Sequence, residues 1–113
     1  DRTVFHCFSG DADFARTCVD RGWYLSFAGT VTFKNAGGLR AALAEVGLGQ
    51  IMVETDAPFL TPVPYRGRPN SSYLIPHTMQ TIAEVTGTGL EQACRTIRAT
   101  TQDVYRFSEG VAA

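Results

Sequence analysis

Nothing in this sequence approaches the run of about 18 apolar residues that marks a membrane-spanning helix, so no membrane span is expected. Cysteine is scarce. Cys7, Cys18 and Cys94 lie too far apart for the closely spaced pairs of zinc or redox motifs, and their number is odd. Buried free thiols in a reducing compartment fit that usage, and a cytoplasmic protein is the expectation. No signal peptide is visible. Charge of one sign is also lacking. The chain carries 10 Lys and Arg against 11 Asp and Glu, a net charge of -1. That excludes a general electrostatic pull toward nucleic acid or anionic lipid, so any phosphate binding must be local. Proline is absent outside one stretch, because all five lie between Pro58 and Pro76. What remains is a chain of 113 residues, 44% hydrophobic, enough for one small globular domain.

The apolar pattern alternates between two periods. "RTVFHCF" (Arg2 to Phe8) reads as a short buried strand, rich in β-branched and aromatic residues. Asp11 is placed to cap a helix to about Asp20, with Phe14 and Cys18 on one face and Gly22 as the stop. "WYLSFAGT" is a second strand, its Trp23 and Tyr24 packing at the strand base. Lys34 and Asn35 lead into a helix with Leu39, Leu43 and Val46 at helical spacing, ended by Gly47. "QIMVETD" is the third strand. Strand and helix in alternation predict parallel βα units with right-handed crossovers. After Asp56 the prolines predict a loop of about 20 residues, long enough to suggest a function. Two helices follow, from about His77 to Val85 and from about Leu90 to Thr101. A single domain over residues 1–109 is expected, with a frayed tail over 110–113.

Side chains alternate faces along a strand. Met52, Glu54 and Asp56 are therefore expected on one face of the third strand, and Val4, His6 and Phe8 on one face of the first. Both His6 and the acids fall near C-terminal strand ends, where parallel α/β folds bind ligands. An imidazole and a carboxylate there suit a divalent metal. Simpler roles exist for each. His6 can be a hydrogen-bonded structural residue, and Asp56 before Ala57-Pro58 can form an Asx-turn that stops the strand. Glu54 is harder to explain away, because a carboxylate in an apolar strand needs a cation or hydrogen bonds. Arg66 and Arg68 in the long loop are candidates for phosphate, or are simply solvated. Lys34 falls at the same end as the acids. Tyr65 and Tyr73 can stack on a base or pin the loop, and His77 helps to start a helix.

The blocks "VFHCFSG", "LSFAGTVTFKNA", "VETDAPFLTPVPYRGRPN" and "PHT" resemble, in order, the C-terminal part of the TatD family of metal-dependent hydrolases, which includes deoxyribonucleases. The resemblance runs from about Val4 to Phe107. It implies an α/β fold, the last three βα units (strands six to eight) of an amidohydrolase-type TIM (β/α)₈ barrel, here incomplete. It implies hydrolysis of DNA phosphodiester bonds with one or two divalent metal ions, with Mg, Mn or Zn all suitable. It makes His6 and Asp56 metal ligands, Asp56 and Glu54 catalytic acids, and Arg66 and Lys34 contacts to the DNA substrate. Other ester hydrolysis on the same barrel, or a non-catalytic assembly role, are the alternatives. The family's His-x-His pair, bridging Glu and earlier single His have no counterpart here, and the chain begins at Asp1 rather than Met. A fragment that is inactive alone is the expectation. Its open sheet edges should pair with an N-terminal barrel half or with another copy.

Overall fold

The computed structural model describes residues 3–105. Three short parallel strands form its sheet: β1 (Val4–Phe5), β2 (Tyr24–Phe27) and β3 (Ile51–Val53), in the order β1-β2-β3. Helix α1 (Ala12–Asp20) connects the first pair and α2 (Gly37–Ala44) the second. Val4 lies opposite Tyr24 and Leu25 opposite Ile51, so the register is parallel throughout. Helices α3 (Ile75–Thr86) and α4 (Leu90–Tyr105) complete the chain. The expected α/β alternation is thus present, and among the described residues no fourth strand joins the sheet.

Local sequence explains where each helix starts and stops. The Asp11 side chain accepts from the Phe14 N–H at 2.9 Å, satisfying a donor that the first turn of α1 leaves unpaired. Gly22, at φ 70°, reverses the chain after that helix, a conformation that costs glycine nothing. Gly87 does the same after α3, at φ 67°. Pro76 stands in the first turn of α3, where its missing N–H has no partner to lose. Both C-terminal helices are longer than the sequence predicts. Helix α3 begins two residues before His77, and α4 continues four residues beyond Thr101.

The helices cover one sheet face. Leu25, Phe27, Ile51, Leu43 and Ile82 are fully buried there, each contributing about 1.5–3 kcal/mol from the apolar surface it removes from water. An aromatic seam continues the core at the edge. Phe5 meets Phe14 edge-on at 5.2 Å, and Phe8 packs against Phe27 at 5.6 Å. Trp23 lies 5.5 Å from Phe5, in line with a packing role. On the opposite sheet face Ser26 and its register partner Met52 are buried too.

All three strands are shorter than the sequence suggests. β1 leaves regular geometry after Phe5, and Cys7 adopts φ 51°. The Phe8 N–H nevertheless bonds to the Ser26 carbonyl at 2.8 Å, so the chain rejoins the sheet after a bulge. The bulge shifts the alternation by one. His6 points out and is exposed, while Phe8 is buried among the helices, so the two do not share a face. The second strand ends at Phe27 and gives way to a 3₁₀ turn over Gly29–Thr32. In β3 regular pairing ends at Val53, with one more bond from the Glu54 N–H to the Phe27 carbonyl at 3.0 Å. Asp56 has φ 54°, so the expected face shared by Met52, Glu54 and Asp56 does not extend to Asp56. The Val111 tail and the 109/110 boundary lie outside the described residues.

Candidate active site

The strand ends bring two distant segments together. The Cys7 N–H donates to Glu54 Oε2 at 2.7 Å, and His6 Nδ1 lies 3.4 Å from Glu54 Oε1. Glu54 therefore has the partners that its place in an apolar strand demands. As a carboxylate it only accepts, so the proton of a neutral His6 sits on Nδ1 and Nε2 keeps its lone pair. The His6 side chain is 83% exposed, against 21% for Glu54. The imidazole thus presents Nε2 to solvent while Glu54 holds its other nitrogen. That is the arrangement by which an outer carboxylate orients a metal-binding histidine.

Asp56 lies near the same point. It and Glu54 both push the Cys7 thiol above its ordinary value, after the larger effect of burial. The Asx-turn considered for Asp56 does not form. It would need the N–H two residues on, which Pro58 lacks; the Ala57 N–H is taken by the Thr55 hydroxyl at 3.1 Å, and the Phe59 N–H by the Asp56 backbone carbonyl at 2.9 Å. Thr55 stops the strand, and the exposed Asp56 carboxylate accepts no hydrogen bond among the described residues. It is available to a ligand.

The cationic candidates sit further out. Lys34 is exposed beyond the 3₁₀ turn. The Arg66 guanidinium stacks 3.8 Å from the centroid of the Phe33 ring, which fixes it beside the Lys34 segment. Among the described residues no ion pair joins either to His6, Glu54 or Asp56. Tyr65 packs edge-on against His77 at 5.2 Å and so pins the loop to α3, while Tyr73 is 90% exposed.

Two residues the sequence reading passed over organise the site. Arg40 on α2 donates to the carbonyls of Val31 at 3.0 Å and Phe33 at 2.5 Å, shaping the connection that carries Lys34. Asn70 is buried and donates its Nδ2 to the carbonyls of Thr55 at 2.8 Å and Phe59 at 2.9 Å. An asparagine in a proline-rich loop is a turn signal, but the sequence does not show which turn it ties.

The family model described as "TatD related DNase" matches residues 1–106. The chain belongs to the TatD family. Among curated relatives, "Uncharacterized metal-dependent hydrolase TatD" of Mycobacterium tuberculosis is 52% identical over 85 residues, covering 75% of this chain and 32% of that protein. "Uncharacterized metal-dependent hydrolase YabD" of Bacillus subtilis is 35% identical over 105 residues, covering 93% and 41%. The TatD chain described here thus spans about a third to two-fifths of the length of these relatives. Two solved structures share its fold. YJJV, a TatD homolog from Escherichia coli K12, superposes with a TM-score of 0.84 at 24% identity over 94% of this chain and 41% of its own. A TatD family hydrolase from Entamoeba histolytica gives 0.76 at 13% identity, over 91% and 42%.

The relatives are named metal-dependent, and the donors here suit part of such a site. Imidazole nitrogen and carboxylate oxygen are ligands for zinc, manganese or magnesium. The number is short: among the described residues no group of three or more His, Cys, Asp or Glu is arranged to hold a metal ion. The imidazole of His6 and the exposed carboxylate of Asp56 are donor types of that kind. Among the described residues no helix is long and apolar enough to cross a membrane.

Proposed function

We propose that this chain forms the last three βα units, strands six to eight, of a (β/α)₈ barrel that hydrolyses DNA phosphodiester bonds with divalent metal. One observation carries the reading. Glu54 and His6, 48 residues apart, meet at the C-terminal ends of β3 and β1, the two parallel strands that flank β2, with the imidazole turned outward. That is the end at which barrel enzymes place their chemistry. The structural likeness to TatD proteins that are more than twice as long supports the barrel assignment.

A bound divalent ion would lower the pKa of a water and polarise a phosphoryl oxygen. The chain's own residues supply the rest. His6 offers Nε2 as a neutral donor, kept in that tautomer by Glu54. Asp56 offers a carboxylate free of hydrogen bonds among the described residues, able to bind the ion or take a proton from the attacking water. Lys34 and Arg66 hold the flanking phosphates, each as a local positive charge on a chain with no net positive field. The outer edges of β1 and β3 offer unpaired backbone groups to the rest of the barrel or to a second copy.

This chain is proposed to be inactive alone, so the test is metal-dependent cleavage of an end-labelled oligonucleotide after mixing with a separately made N-terminal barrel half, with wild-type and Asp56→Asn chains, beside turnover of a simple carboxylic ester. Cleavage of the oligonucleotide that Asp56→Asn abolishes supports the proposal. Turnover of the ester alone assigns another hydrolase activity to the same residues. Unchanged oligonucleotide cleavage by Asp56→Asn removes Asp56 from the site.

A further inference from the structure

Asp56 is held in a backbone conformation that few non-glycine residues adopt. Its φ of 54° lies in the left-handed region, as does that of Leu60 at 57°. Non-glycine residues there carry strain, which persists only where the surroundings fix it. The surroundings here converge on one side chain. Asn70 Nδ2 donates to the Thr55 carbonyl, immediately before Asp56, and to the Phe59 carbonyl, three residues after it. The Asn70 N–H donates to the Pro58 carbonyl at 2.9 Å, and its Oδ1 accepts from the Ser71 N–H at 2.9 Å. The carboxamide thus uses both its donors and its acceptor, and it is 8% exposed. The turn from Thr55 to Phe59 is tied at both ends and in the middle to one residue across the loop.

We infer that Asn70 is the positioning residue for Asp56: it fixes the turn that aims the Asp56 carboxylate at the metal. It touches neither substrate nor metal. Its effect passes through the Thr55 and Phe59 carbonyls to the backbone of Asp56. The inference rests on the reading of Asp56 as a metal ligand, and its test separates the two.

The side chain must donate to two carbonyls and accept from one N–H. Asn70→Asp keeps the shape and the acceptor and loses the donors, setting a carboxylate against two carbonyl oxygens. Asn70→Ala removes all three. Each variant is measured in two ways: the backbone coupling constant of the Asp56 amide by NMR without metal, and Mn²⁺ affinity by calorimetry. The expected result is an Asp56 coupling displaced from that of the wild type and Mn²⁺ binding about tenfold weaker in Asn70→Asp, the loss typical of outer-shell partners. Should Asn70→Ala fail to fold, Asn70→Asp decides. A fall in melting temperature with the Asp56 coupling and Mn²⁺ affinity unchanged overturns the inference and leaves Asn70 a loop staple only. Asp56→Asn tests the metal reading by itself. If it binds Mn²⁺ like the wild type, that reading fails, and the Asp56 coupling alone decides the role of Asn70.

Discussion

Glu54 Oε2 accepts the Cys7 backbone N–H at 2.7 Å, across 47 residues of sequence. A charged acceptor on a half-buried amide contributes about 1.5–3 kcal/mol. Glu54→Ala leaves that N–H without its partner and lets the His6–Cys7 bulge relax. The expected loss is in that range, read from urea unfolding. Glu54→Gln keeps one acceptor oxygen and loses less. Equal losses for the two substitutions would show that the bond to Cys7 is not what Glu54 supplies.

Gly29 marks where the proline-rich loop meets the sheet. A Cβ there would run into the Leu60 carbonyl oxygen and stand 2.9 Å from the Pro62 nitrogen, both backbone atoms. Neighbouring Thr32 links the two segments, its hydroxyl donating to the Gly29 carbonyl at 2.7 Å and accepting from the Val63 N–H at 2.8 Å. Gly29→Ala forces the loop away, and overpacking of this kind costs about 1–3 kcal/mol. Limited proteolysis is expected to cut between residues 57 and 70 faster in the variant. An unchanged cleavage rate would mean the loop does not depend on this contact.

Asp56→Asn separates function from fold. The carboxylate makes no hydrogen bond among the described residues, so the substitution removes a charge without breaking a contact. Far-ultraviolet circular dichroism and the melting temperature should match the wild type. In the barrel completed by an N-terminal half, the proposed metal-dependent hydrolysis should fall by a factor on the order of 10²–10⁴, the usual contribution of a positioned acid or base. Full activity with an intact fold would exclude Asp56 from the chemistry.

The order of elements was legible in the sequence because periodicity and caps act locally. Asp11, Gly22 and the apolar spacing through Leu43 and Val46 each state their role within a few residues. The grouping of His6 with Glu54 followed from two strands ending at the same side. What strict alternation misplaced was Asp56 and Phe8, the latter expected on the face of His6. The bulge at Cys7 and the left-handed turn at Asp56 are set by tertiary bonds, from Glu54 and from Asn70, that no local pattern announces. Asn70 was overlooked for the same reason: its partners lie 11 and 15 residues away. Lys34 and Arg66 were found as charges. Their arrangement depends on Arg40 and on the Phe33 ring, neither of which carries a motif.

Cys18 provides a pH test of the core. It is fully buried on α1, and burial raises its thiol above the ordinary value of 9.0, against a smaller opposing backbone hydrogen bond. Below that value the thiol is neutral in both folded and unfolded chains, and stability is unaffected. As the pH climbs past it, the unfolded chain releases the proton while the folded one retains it. Stability then declines until the raised folded value is reached. Urea midpoints at pH 7, 8.5 and 10 should therefore fall more steeply for the wild type than for Cys18→Ala. Comparing the two isolates Cys18 from every group that the two proteins share. The same burial predicts that a thiol reagent labels exposed Cys94 first and Cys18 only as fast as the protein opens. Parallel pH profiles, or early labelling of Cys18, would place that thiol outside the packed core.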